Sequence, residues 1–95
     1  MTVSLFVQHQ VKDFDTWKKF YDENSRGVLK QGGVIMDTVH RNLDDPNSVL
    51  VYSQFANAEA ARAFVALLSS DESREISAVS GSIPESLTVW TGEDV

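Results

Sequence analysis

The chain has 95 residues, 42% hydrophobic and 23% charged, with a formal net charge of −6; that fits one globular domain over residues 1–95 and disfavours nucleic acid, whose phosphates dominate affinity. It contains no cysteine, so it has no disulfide framework, thiolate nucleophile or Cys-ligated zinc, which suits a reducing cytoplasm. Met1 to Val11 lacks the basic and apolar regions of a secretory leader, and no apolar run approaches the roughly 20 residues of a membrane span.

Thr2 to Val11 alternates. Val3, Leu5, Val7 and His9 share one parity, and Ser4, Phe6, Gln8 and Gln10 the other. This predicts a strand with one strongly apolar face and His9 at its end. Asp13 or Asp15 can cap the helix that follows by accepting from free N–H groups of its first turn. Phe14, Trp17, Tyr21 and Val28 recur at helical spacing, widened by Phe20 and Leu29. Asp15 with Lys19, and Asp22 with Arg26, are i,i+4 pairs for the exposed face. Gln31-Gly32-Gly33 stops the helix, predicted from Phe14 to Gln31.

Val34–His40 and Val49–Phe55 are rich in β-branched and aromatic residues and flank the turn formers of Asn42–Ser48, so a long hairpin is predicted. Asn57 starts a second helix whose buried face is Ala60, Ala61, Phe64, Val65 and Leu68. Ser69 and Glu72 form an S-x-x-E capping box for a short third helix, Asp71 to Ser80, with Gly81 as its stop. Ser82-Ile83-Pro84 is a connector. Glu85 to Thr91 is the last strand, with Leu87 and Val89 on one face and Thr88 and Trp90 on the other.

This β-α-β-β-α-(α)-β order is the ferredoxin-like arrangement: an α+β sandwich with both helices on one face of a four-stranded antiparallel sheet, usual spatial order 4-1-3-2. Apolar residues nevertheless occupy both parities. Ile35 and Val39 oppose Val34 and Met36, Leu50 and Tyr52 oppose Val49 and Val51, and Phe6 opposes Leu5. Scattered exposed apolar groups are common, but a solvated face alternates more cleanly. The pattern predicts a homodimer in which two open sheet faces pack together into a shared barrel.

Val11-Lys12-Asp13-Phe14-Asp15-Thr16-Trp17 resembles the V-x-D-[YF]-x-x-W start of the first helix in small bacterial proteins of the dimeric α+β barrel superfamily. Arg41-Asn42-Leu43-Asp44-Asp45-Pro46-Asn47 resembles the R-x-x-D-D-P-N hairpin of the same group. Ala60 to Phe64, Ser69 to Glu75 and Gly81 resemble its A-x-A-F, S-x-[ED]-L-[RK]-E and later glycine. The resemblance spans almost the whole chain and speaks more to fold than to function. That superfamily includes antibiotic biosynthesis monooxygenases (cofactor-free oxygenases of polyphenols), haem-degrading enzymes, polyketide cyclases and members without known activity. The haem-degrading branch is least similar: the first strand here has no Asn, Ala58–Leu68 has no Trp, and no His follows.

The two histidines, His9 and His40, fall on the first and second strands. In a 4-1-3-2 sheet those strands are about 9–10 Å apart, too far for one metal ion, and no metal site is expected. His9 lies on the helix-facing parity, where related folds hold a small-molecule cavity. It reads either as a general base for an acidic phenol or as a strand-end histidine bonded to its neighbours. His40 is a rim residue, and Arg41 an anchor for acidic loop residues such as Asp44 or a contact across the dimer. Trp17, Tyr21, Phe64, Tyr52 and Trp90 are candidates for an aromatic pocket. Trp17 and Phe64 also fit plain core, whereas Tyr52 and Trp90 keep polar handles that can orient a ligand. Asp37, a lone acid in an apolar strand, reads either as a buried carboxyl with a raised pKa or as an edge residue deterring unwanted pairing.

No dinucleotide, P-loop or nucleophile-elbow motif is present, and no cofactor is implied. By resemblance, the chain is a small enzyme acting on an aromatic or polyketide-like molecule as a cofactor-free monooxygenase or cyclase, with His9 as base and Tyr52 and Trp90 orienting the substrate. The competing reading is a non-catalytic small-molecule-binding or structural homodimeric domain.

Overall fold

A computed structural model describes residues 2–68, 70 and 81–95. The expected third helix, Asp71 to Ser80 with Ser69 before it, lies outside the described residues, as do the Val28 and Leu29 side chains. Strand β1 (Val3–Gln10) leads to α1 (Phe14–Phe20), a π-helical turn (Tyr21–Ser25) and α2 (Arg26–Gln31). The chain continues through β2 (Val34–Arg41), β3 (Ser48–Phe55), α3 (Ala58–Leu68), a 3₁₀ turn (Pro84–Ser86) and β4 (Thr88–Glu93). The sheet order is β2-β3-β1-β4, with every pair antiparallel. This is the expected ferredoxin-like topology.

Local chemistry explains the elements. Asp13 caps α1: its carboxylate accepts from the Thr16 N–H at 3.0 Å and the Thr16 hydroxyl at 2.7 Å. The expected helix from Phe14 to Gln31 is continuous but contains one π turn, closed by the Arg26 N–H bonding to the Tyr21 carbonyl. Its i,i+4 ion pairs are Lys18–Asp22 and Asp22–Arg26, at 2.7 and 3.1 Å. Gly33, at φ +90°, makes the turn into β2, where a side chain would be strained. Asn57 caps α3 by accepting from the Ala60 N–H at 2.9 Å.

The hairpin loop is tied down from both sides. Asn42 Oδ1 accepts from the Asp44 and Asp45 N–H groups, and Asn47 Oδ1 accepts from the Phe14 N–H at 3.2 Å. The loop thus braces the start of α1. Val11 bridges to Ser82 beyond the end of β1.

Two expectations change. The last strand starts at Thr88 rather than Glu85 and runs to Glu93, because Pro84–Ser86 form the 3₁₀ turn. Its Ser86 hydroxyl bonds the Ile83 carbonyl at 2.6 Å and accepts from the Gln10 N–H at 2.8 Å. Strand β2 carries a bulge: Val34 pairs with Phe55 and Met36 with Gln54, leaving Ile35 as the extra residue. Val34 and Val39 therefore both pack on the core, whereas simple alternation placed them on opposite faces.

The core lies between sheet and helices. Val3, Leu5, Val7, Val49, Val51 and Phe55 meet Trp17, Tyr21, Ala61 and Phe64 there. Leu5 and Phe55 are completely buried, and each such side chain contributes about 1.5–3 kcal/mol relative to exposure. The two ends of the described chain are side by side: the Asp94 N–H bonds the Thr2 carbonyl at 2.9 Å.

Candidate functional site

Alternation places His9 on the helix side of β1, opposite Val49. Its side chain is buried against Trp17, ring centroids 5.3 Å apart in an edge-on arrangement. Neither imidazole nitrogen has a hydrogen-bond partner among the described residues. Burial lowers its pKa to about 4, so the ring is neutral at physiological pH. A buried polar group left unpaired costs free energy, so a donor or acceptor reaching either nitrogen would be stabilising.

Trp17 is packed on three sides. It contacts Phe14 at 6.1 Å and Tyr21 at 5.2 Å, as well as His9. The Tyr21 phenol donates to Asp37 Oδ2 at 2.7 Å, and Arg26 Nε donates to the same oxygen at 3.3 Å. Burial and the neighbouring carboxylate push the phenol pKa up. Asp37 does lie on the edge strand, but it shares the helix-facing side of β2 with Val39, where these two donors hold its carboxylate. Arg41 lies over the Phe14 ring at 4.8 Å, a stacking contact rather than the expected tie to the acidic loop.

The other sheet face forms a grid of three cross-strand rows. Thr38, Tyr52, Phe6 and Trp90 make the middle row, with ring centroids 5.2 Å apart for Phe6–Tyr52 and 5.6 Å for Phe6–Trp90. His40, Leu50, Gln8 and Thr88 lie on one side of it, and Met36, Gln54, Ser4 and Gly92 on the other. Trp90 is 61% exposed and Met36 47%. A Cβ at Gly92 would collide with the Trp90 indole, so this glycine lets the ring lie down on the sheet. Asp94 closes the polar row, accepting from Ser4, Thr2 and Gln54, and these bonds hold its carboxyl below the usual range.

The sheet thus divides the six expected site residues. His9 and Trp17 meet on the helix side. Phe64 is also on that side but packs on Phe55, whose partner Val3 is six residues from His9 along β1, about 20 Å at strand spacing. Tyr52, Trp90 and His40 belong to the opposite face. His40 borders a cleft of about 220 Å³ with Gln8, Ser48 and Leu50. A second cleft of about 120 Å³ lies between α3 and β4, lined by Ala58, Ala61, Arg62 and Thr91. No cluster of three or more His, Cys, Asp and Glu side chains fit to hold a metal exists among the described residues, and His9 and His40 are on opposite faces.

Comparison with known proteins settles the family. The antibiotic biosynthesis monooxygenase profile matches residues 2–78. The chain belongs to this family. No curated protein matches the sequence. Among solved structures, an antibiotic biosynthesis monooxygenase homologue from Bordetella bronchiseptica aligns over 99% of this chain and 97% of its own, at TM-score 0.74 and 12% identity. The cofactor-independent oxygenase SnoaB from Streptomyces nogalater aligns over 96% of this chain and 88% of its own, at TM-score 0.62 and 16% identity. A conserved protein from Methanosarcina mazei aligns over 100% and 94%, at TM-score 0.72 and 15% identity. At such identities the likeness is one of fold. No helix among the described residues is long and apolar enough to cross a membrane.

In this antibiotic biosynthesis monooxygenase family member, sequence reading missed the link between Tyr21, Asp37 and Arg26. The i,i+4 pairing of Asp22 with Arg26 was visible, but the π turn that brings Tyr21 and Arg26 to one carboxylate has no local signature.

Proposed function

We propose that the chain is a cofactor-free oxygenase of small aromatic, polyketide-like molecules, acting in the cytoplasm as a homodimer joined through the open sheet face. The observation that carries this reading is His9: a neutral, unpaired imidazole beside an indole, in a chain of this family. A neutral imidazole has a free lone pair to accept the proton of an acidic phenol. Burial disfavours the imidazolium, so the proton stays on His9 only while the phenolate remains beside it as counter-ion. The electron-rich phenolate then supplies all four electrons for O₂: a ring C–H carbon takes one oxygen atom and becomes a carbonyl, the substrate leaves as a quinone, and the other oxygen leaves as water with the ring hydrogen and the phenolic proton. Trp17 provides a flat wall for the substrate.

Tyr52, Trp90 and His40 belong in this reading to the dimer face, with the exposed aromatic row as its centre. The alternative is a non-catalytic small-molecule-binding or structural homodimeric domain.

A thermal-shift panel of hydroxylated anthrones and naphthoquinones, followed by oxygen uptake, separates the readings. A ligand at 100 times its Kd stabilises by about 2.7 kcal/mol. The oxygenase reading expects a shift and oxygen consumption, both lost in His9→Ala. Binding without oxygen uptake selects the non-catalytic alternative, and turnover unchanged in His9→Ala removes His9 from the mechanism.

A further inference from the structure

A line of buried rings connects His9 to the sheet edge. The centroid distance is 5.3 Å from His9 to Trp17 and 5.2 Å from Trp17 to Tyr21, the latter pair at 31° between planes. Trp17 and Tyr21 are only 4% and 5% exposed. The line ends at Asp37, which accepts the Tyr21 phenol proton at 2.7 Å, and at Arg26, whose guanidinium lies 5.3 Å over the Tyr21 ring. Asp37 and Arg26 side chains are 14% and 37% exposed, so the line leads from the dry interior toward water. The π turn between Tyr21 and Arg26 brings both residues to one carboxylate; such turns recur at functional sites.

Indole and phenol are the most readily oxidised side chains available to a chain without cysteine. An indole radical cation is a stronger oxidant than a phenoxyl radical, so it can take an electron from a phenol, and phenol oxidation is easy only when a base takes the proton at the same moment. Asp37 is already bonded as that base. Core packing alone calls for neither the carboxylate nor its bond to the phenol, since an apolar pair of similar volume fills the same space.

We propose that Trp17, Tyr21 and Asp37 form a one-electron relay that draws oxidising equivalents away from the His9 layer to the sheet edge. The oxidant it meets is a peroxyl radical, a by-product of O₂ chemistry beside His9; this role rests on the oxygenase reading, whereas the relay rests on the geometry. Trp17 gives one electron to the peroxyl radical, which takes a proton from water and leaves as a hydroperoxide. Tyr21 then passes one electron to the Trp17 radical cation and its proton to Asp37 Oδ2. The indole is restored, leaving a neutral phenoxyl radical on Tyr21 and a neutral acid on Asp37. A thiol or ascorbate-type reductant supplies one electron to reset Tyr21, and the proton returns from Asp37.

The test needs no substrate. The chain has two Trp and two Tyr residues, so Trp90→Phe combined with Tyr52→Phe leaves one of each, Trp17 and Tyr21. Flash photoionisation of Trp17, followed by transient absorption and electron paramagnetic resonance, is expected to show the indole radical converting to a phenoxyl radical. Adding Tyr21→Phe should lengthen the indole radical lifetime by about tenfold or more, and adding Asp37→Asn should slow the conversion by a similar factor. Circular dichroism identifies the variants that fold; if Asp37→Asn does not, Asp37→Glu retains the base and should retain the transfer. An indole radical that lives equally long with and without Tyr21 overturns the relay and leaves the oxygenase reading untouched. Transfer unchanged in Asp37→Asn overturns Asp37 as proton acceptor.

Discussion

His9 shows how one residue can couple burial to pH. In the unfolded chain its pKa is near 6.5, and in the folded chain burial lowers it to about 4. Between these values the unfolded state binds more protons, so stability rises with pH across that window. Acidifying from pH 7 to below pH 4 should therefore remove about 3 kcal/mol through this group. Urea denaturation as a function of pH measures it; His9→Leu should flatten the slope between pH 4 and 6.5, and an unchanged slope assigns it elsewhere. Tyr21→Phe deletes a bond to a charged acceptor and is expected to cost about 1.5–3 kcal/mol by the same method. The place of His9 was legible from strand alternation alone. The Tyr21–Asp37 bond was not, because which helix side chain meets Asp37 depends on how α1 and its π turn lie over β2.

The elements were read most accurately where signals were local. Asp13 and Asn57 cap their helices through side-chain bonds to first-turn N–H groups that short polar residues favour, and the hairpin turn lies where Asp, Pro and Asn cluster. Asn57→Ala should destabilise the chain by about 1 kcal/mol through frayed α3, visible as a lower melting midpoint with unchanged circular dichroism at low temperature. Departures arose where distant groups compete. Ser86 was read as strand, but its hydroxyl is bonded to the Ile83 carbonyl and the Gln10 N–H, and no residue beside it announces a partner 76 positions away. Arg41 was read as an anchor for acidic loop residues or a contact across the dimer, and its guanidinium lies over the Phe14 face; choosing between carboxylate and ring requires knowing how α1 lies over the hairpin.

Across the whole molecule, the two sheet faces divide the labour. One face carries the core and His9, while the other offers an aromatic row with no covering layer among the described residues. Apolar residues at both strand parities make that second face legible in the sequence. If it joins two copies, Trp90→Lys or Phe6→Lys should halve the mass measured by sedimentation at micromolar concentration, since a charge buried against a ring row is costly; a parent chain already monomeric there removes the dimer. The central position of β1 also bears on folding speed. Its pairing with β4 joins Val3 to Glu93, so the sheet is complete only after nearly the entire chain has closed into one loop, an entropic cost incurred before those contacts form. Thr2 and Asp94 end up bonded to each other. A short peptide linking the two ends would turn the longest closure into one of the shortest, and such a circular chain should fold faster while unfolding at nearly its former rate.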